Sequence, residues 1–382
     1  MHGPPIGSRI DSLLEALWRA NGTELLLTAG MPPQIRVGGD LQPIPGQGPL
    51  TATATDAVLA EVLLPEQADV WKTAHEYDFT FGWRSTARVR GNAFSQRGTT
   101  ALNLRIIPRT VPTLAELGLP PAMTEFARRR EGLVLVTGPT GAGKSATLAA
   151  MINQININRA CHIITIEDPI EYMHEHKRSA VNQREIASDT ASFSAGLRSA
   201  LREGPDVLLI GELRDLESIR IALNMAETTG TLVFATLPAH NTVESLTRVV
   251  DVFPAEQRSQ IRVQLSAALA GVLCQQLVPR VGGGLVAAYE VLVANAKIRN
   301  LIRDGDTDRL RDRVVSGGTE GMMTFEMSLS ELVRGGEVTY ETALARSLHP
   351  KDIEASPTVP AQYPEERPRA HSRNNKKKLF TR

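Results

Sequence analysis

Between residues 8 and 107, runs with apolar residues at every second position alternate with stretches in which they recur every three to four. The pattern predicts an amphipathic helix over 8–20, short strands at 24–28 and 34–37 around the turn Gly30-Met31-Pro32-Pro33, and a helix over 55–64. Three further strands follow at 77–81, 86–96 and 100–107, so residues 1–110 read as a small α+β domain with an antiparallel sheet. The segment Pro108-Arg109-Thr110-Val111-Pro112 reads as a linker, because each proline biases its predecessor away from helix.

From about 115 to 290 the order changes to strands alternating with helices. Apolar, β-branched runs at 132–137, 162–167, 206–211 and 231–236 predict a mostly parallel sheet covered on both faces. Residues 295–347 return to amphipathic helices, interrupted by Gly317-Gly318 and Gly335-Gly336, and close a second domain running from 111 to 347. The prolines and charges of 348–382 predict a disordered tail whose basic tip, Lys376-Lys377-Lys378, reads as solvated.

Composition narrows the function classes. The 382 residues suffice for two cores, and the zero formal net charge gives no support for nucleic acid bound over a broad basic face. Basic and aromatic residues do not interleave, which places a nucleic-acid translocase last. Cys161 and Cys274 are too few for a four-cysteine zinc site and stand outside any C-x-x-C pair. No apolar run approaches a membrane span and the N-terminus lacks a basic region followed by an apolar core. The expectation is a cytosolic protein without direct membrane insertion.

The chemistry begins at Gly138-Pro139-Thr140-Gly141-Ala142-Gly143-Lys144-Ser145, a complete G-x-x-x-x-G-K-S loop between a buried strand and a helix starting at Ser145-Ala146. Its glycines let backbone N–H groups wrap a polyphosphate at a helix N-terminus, Lys144 reaches the β- and γ-phosphates, and Ser145 is the expected Mg2+ ligand. The strand at 162–167 runs into Glu167-Asp168-Pro169-Ile170-Glu171, three carboxylates where open α/β sheets bind ligands. One of them can orient or deprotonate an attacking water; an acidic, solvated turn is the other reading. The strand at 206–211 ends in Gly211-Glu212, the pattern of a Walker-B strand.

Together with Asn182-Gln183-Arg184-Glu185, Leu197-Arg198-Ser199-Ala200-Leu201-Arg202, Ile210-Gly211-Glu212-Leu213-Arg214-Asp215 and Arg248-Val249-Val250-Asp251-Val252-Phe253-Pro254, these segments resemble the type IV pilus retraction ATPases within the type II/IV secretion ATPase superfamily. The resemblance spans about 10–347. It implies a PAS-like N-terminal domain followed by a RecA-like P-loop ATPase domain with C-terminal helices, and a homohexamer that hydrolyses ATP with Mg2+. It also implies that Glu171 acts on the attacking water and that Glu212 lies near Mg2+ and the γ-phosphate. Arg88, Arg90 and Arg105, on strands similar to the family's arginine-bearing ones, would serve as arginine fingers, or else stand solvated on an exposed sheet face. Ala296-Lys297-Ile298-Arg299-Asn300-Leu301-Ile302-Arg303 is similar to the signature of retraction motors.

By the same resemblance the work goes to an inner-membrane pilus platform protein at the inner face of the cell membrane. A low-turnover ring subunit regulating a paralogous pilus ATPase and a secretion motor with a non-pilin substrate are the alternatives. The chain departs from the pattern after 231–236: Pro238 and Thr247 occupy the positions of the family's two His-box histidines. His240, two residues on, either reaches the same phosphate or is a solvated loop histidine.

Overall fold

The computed structural model describes residues 3–37, 40–108 and 110–354. In α1 (Arg9–Arg19), Ser8 caps the first turn by accepting the Asp11 N–H, and Ile10, Leu13, Leu14 and Leu17 recur at helical spacing on one buried face. The first domain continues through β1 (Glu24–Thr28), β2 (Gln34–Val37), β3 (Asp40–Pro43), α2 (Ala52–Val62), α3 (Pro65–Ala74), β4 (Glu76–Trp83), β5 (Ala87–Gln96) and β6 (Thr99–Pro108). Its strands pair antiparallel in a six-stranded sheet of order β3-β2-β1-β6-β5-β4. Leu14 and Leu17 of α1 and Val58 and Leu59 of α2 share its core with Leu25, Leu27, Phe81, Trp83 and Leu104. At the edge of that core the Asp11 carboxylate accepts from Trp83 Nε1 at 2.7 Å, Arg84 Nε at 3.0 Å and the Gly7 N–H at 2.9 Å. The Arg84 bond, above all, holds its pKa down at about 2.

The second domain runs through α4 (Pro121–Arg128), β7 (Gly132–Thr137), α5 (Lys144–Asn158), β8 (His162–Glu167), β9 (Ala180–Glu185), α6 (Phe193–Glu203), β10 (Val207–Ile210) and α7 (Leu216–Thr228). It continues with β11 (Leu232–Leu237), α8 (Thr242–Asp251), α9 (Arg258–Ala268), β12 (Leu269–Pro279) and β13 (Leu285–Val293). The seven-stranded sheet has the order β13-β12-β7-β11-β10-β8-β9, parallel except for the antiparallel β12–β13 pair. Every position of β7, β10 and β11 is buried. Leu133 and Leu135 join the core on one face and Val134 and Val136 the core on the other, which is why these strands read as unbroken apolar runs.

Four helices complete the domain: α10 (Ala296–Asp304), α11 (Asp308–Ser316), α12 (Phe325–Arg334) and α13 (Tyr340–Arg346). The first residues of the expected disordered tail are in fact packed. Ile353 is buried with Phe325, Leu329, Val338 and Ala343, and Asp352 and Glu354 bond Arg311 and Arg334. The His349 and Glu354 N–H groups add bonds to Glu326 Oε1 at 3.1 Å and Ser330 Oγ at 3.0 Å, which tie the segment to α12. The rest of that tail, 355–382, lies outside the described residues, as does Arg109 in the linker. Among the described residues, no helix is long and apolar enough to cross a membrane.

Candidate active site

Strand β7 delivers the chain into the glycine-rich loop at the carboxyl end of the parallel sheet. Gly138, Gly141 and Gly143 all adopt positive φ, at 141°, 79° and 87°, and Gly143 caps α5 in the left-handed conformation. Glycine is required at 138 on a second ground, because a Cβ there would overlap the Gln275 carbonyl oxygen. Gln275, buried on β12, forms a floor beneath the loop: its Nε2 donates to Ala142 O at 2.6 Å and its Oε1 accepts from Thr147 Oγ1 at 2.8 Å. Lys144 Nζ donates to Gly138 O and Pro139 O, each at 2.9 Å. Burial pulls the lysine pKa below its ordinary range, opposed by the Glu212 and Glu171 carboxylates.

Thr140 to Ala146 line a cavity of about 680 Å³, large enough for a nucleotide. Its opposite wall is acidic. At the end of β8 and just past it lie Glu167, Asp168, Pro169, Glu171, Tyr172 and His174, and beyond β10 lie Gly211, Glu212 and Arg214. The two strands converge tightly here: a Cβ on Gly211 would stand 3.3 Å from Glu167 Cα and from Ile166 O, which explains the glycine before Glu212. Arg214 Nε bonds Glu212 Oε2 at 2.7 Å, and its guanidinium lies 3.8 Å from Asp168. Glu167 Oε1 accepts from Thr165 Oγ1 at 2.6 Å and Gln183 Nε2 at 3.1 Å, and burial raises its pKa to about 7. Burial, with Lys177 nearby, pushes His174 down to about 4, so its imidazole is neutral; its Nδ1 is buried without a hydrogen-bond partner.

The third wall comes from the first domain, through Glu24 of β1 and Arg105 of β6, which face one another across the strand pair. Of the three arginines singled out in the sequence, Arg105 alone lines this cavity. Arg90 is its cross-strand partner on β5. Arg88 instead donates to Thr80 Oγ1 at 2.9 Å and Glu185 Oε2 at 3.4 Å, and lies 3.5 Å from Met173 Sδ. Pro238 lines the cavity, whereas His240 is exposed, its backbone N–H given to Glu244 Oε2 at 2.7 Å. Thr247 Oγ1 bonds Val243 O within α8. Sequence reasoning overlooked Gln275, Glu24 and His174 as parts of the site; a glutamine inside the apolar run of β12 was the one usable signal, since a buried amide needs partners.

Residues 80–332 match the family described as Type II/IV secretion system protein. The chain is 43% identical over 344 residues to the type IV pilus retraction ATPase PilT of Pseudomonas aeruginosa, covering 90% of this chain and 99% of that one. To the type IV pilus ATPase PilU of the same organism it is 40% identical over 344 residues, covering 90% of each. A crystal structure of the pilus retraction motor PilT with bound ADP superposes with a TM-score of 0.83 at 40% identity, covering 91% of this chain and 99% of the other. The expected fold of an N-terminal domain followed by a RecA-like ATPase domain is the one the two sheets form. With that fold, a complete phosphate loop and acidic residues gathered across one cavity, the chain belongs to the PilT family of type IV pilus retraction ATPases, within the Type II/IV secretion system proteins.

Proposed function

We propose that the chain is the subunit of a homohexameric motor that hydrolyses MgATP in this cavity and powers retraction of type IV pili through an inner-membrane platform protein. The observation that carries the reading is the meeting of Lys144, Glu171, Glu212 and Arg105 in one cavity walled by both domains. The loop N–H groups and Lys144 bind the β- and γ-phosphates, and Glu171 orients the attacking water and takes its proton. Arg105 adds positive charge on the side of the N-terminal domain, where it spreads charge developing on the transferred phosphoryl group. Ser145 Oγ and the Glu212 carboxylate are hard oxygens lining the same cavity, which suits Mg2+, an ion that takes one or two protein oxygens and leaves the rest to phosphate and water. When bound, Mg2+ would supply neutralisation of the negative charge on the phosphates.

A second reading is favoured by one observation, Pro238 in the cavity wall with His240 turned out to solvent. In it the chain is a low-turnover ring subunit that regulates a paralogous pilus ATPase. Steady-state MgATP hydrolysis separates the two, measured with ADP affinity on wild type, Lys144→Ala and Glu212→Ala. The motor reading expects clear turnover, lost in both variants, with ADP affinity weakened in Lys144→Ala. Tight ADP binding with turnover no higher than in the variants sinks it and leaves the regulatory subunit.

A further inference from the structure

The loop that carries Glu171 has almost no regular structure of its own, since residues 168–179 join two parallel neighbours, β8 and β9, without an intervening helix. It is tied down by side chains instead. Gln183, on β9, donates from Nε2 to Tyr172 O at 2.8 Å and accepts the His174 N–H on Oε1 at 2.7 Å. The same Nε2 donates to Glu167 Oε1 at 3.1 Å. Two residues along β9, Glu185 Oε2 accepts the Ile170 N–H at 3.1 Å. Backbone groups of 170, 172 and 174, on either side of Glu171, are thereby fixed by Gln183 and Glu185.

Because β9 pairs in register with β8, with Gln183 opposite Thr165 and Glu185 opposite Glu167, the staples stand on the same parallel sheet that carries the phosphate loop. Glu185 has a second partner, Arg88 of the N-terminal domain, and both side chains are largely buried, at 12% and 16% exposure. Arg88, outside the cavity, thus acts on the residue that holds the neighbour of Glu171.

We infer that Gln183 and Glu185 are positioning residues for Glu171: β9 is a template that sets the catalytic carboxylate, and Arg88 makes that setting answer to the seating of the N-terminal domain. The inference rests on the assignment of Glu171 to the attacking water. It separates two jobs in the cavity, binding by the phosphate loop and alignment by β9, and only the second passes through Gln183.

The test compares wild type with Gln183→Met, which keeps side-chain length and burial but removes the amide, and with Glu185→Gln, which keeps an acceptor for Ile170 N–H and weakens the tie to Arg88. Each full-length protein is measured for MgATP kcat and KM, MgADP affinity, and amide hydrogen exchange over 168–175 and over 138–146. The Gln183→Met variant is expected to lose about 10–100-fold in kcat, with KM and ADP affinity within about twofold of wild type. Exchange should rise in 168–175 and stay unchanged in 138–146. Glu185→Gln should show a smaller loss with the same split.

Wild-type kcat in Gln183→Met, or unchanged exchange in 168–175, overturns the inference. So does a result in which kcat and ADP affinity fall together while exchange rises at both segments, because that is what a merely structural glutamine gives. If the wild type itself turns nothing over, the motor reading fails on its own evidence, and the exchange comparison still decides whether β9 holds the loop.

Discussion

Replacing Gln275 by leucine, close in volume but without an amide, tests how far the phosphate loop depends on the strand beneath it. Two hydrogen bonds disappear, to Ala142 O at 2.6 Å and from Thr147 Oγ1 at 2.8 Å, and both partners stay buried. A buried polar group left without a partner costs about 1–3 kcal/mol, so the two together cost about 2–6 kcal/mol. The penalty falls where the loop enters α5, which is anchored by burial elsewhere along its length. Loosening the loop relieves it more cheaply than unfolding the domain does. Every 1.4 kcal/mol that falls on the loop is a tenfold loss of affinity for a ligand that needs the loop formed. Isothermal titration with MgADP should therefore show binding weakened about 10–100-fold, with Tm lowered by only a few degrees. An ADP affinity within twofold of wild type would refute the reasoning, as would a Tm loss large enough to account for the whole cost.

Arg105→Ala should lower kcat by at least about tenfold, with ADP affinity and Tm unchanged; equal losses in kcat and affinity would make it a binding residue instead. The Glu167 carboxyl, raised from 4.5 to about 7, is held more readily in its neutral form by the folded state. Its contribution to stability is therefore fully present below about pH 4.5 and is lost as pH rises to about 7, on the order of 3 kcal/mol across the window. Denaturant titrations of wild type and Glu167→Gln from pH 5 to 8 should show the decline flattened in the variant, and parallel curves would exclude the assignment. Asp11→Ala strands the Trp83 Nε1–H and removes one of the two carboxylates that Arg84 bonds, leaving Glu15, so it should destabilise the N-terminal domain by about 2–4 kcal/mol without touching ADP affinity, read by tryptophan fluorescence during urea unfolding.

What the sequence disclosed follows from how local each feature is. Strands β7, β10 and β11 are buried on both faces and announce themselves as apolar runs, and the loop after β7 carries its own glycine signature. By contrast β3 is exposed at all four positions and exists because it pairs with β2, a partnership that no alternation in Asp40–Pro43 reveals. Strand β9 buries Val181 as its one fully apolar contact, so its place beside β8 could not be read from Ala180–Glu185 alone. Helix α3 has no buried residue and left no periodicity to find.

The site divides in the same way. Lys144, Glu171 and Glu212 follow strands whose apolar runs are legible in the sequence. Arg88 and Arg90 share one face of β5 by the two-residue period, and Arg90 lies opposite Arg105, so pattern alone makes the three nearly equivalent. Which of them enters the cavity is fixed by the angle between two sheets, a property of packing rather than of any segment. Gln275 reaches a carbonyl 133 residues earlier in the chain, a distance across which local sequence carries no information.

The cavity has walls in two domains, with Glu24 and Arg105 on one side and the phosphate loop on the other. A ligand that touches both walls binds better at one inter-domain angle than at another. Thermodynamic reciprocity then turns that preference into torque: whatever factor the angle contributes to affinity, the ligand returns as a bias on the angle. A hundredfold difference amounts to about 2.7 kcal/mol, available at the outer edge of the N-terminal sheet each time the contents of the cavity change.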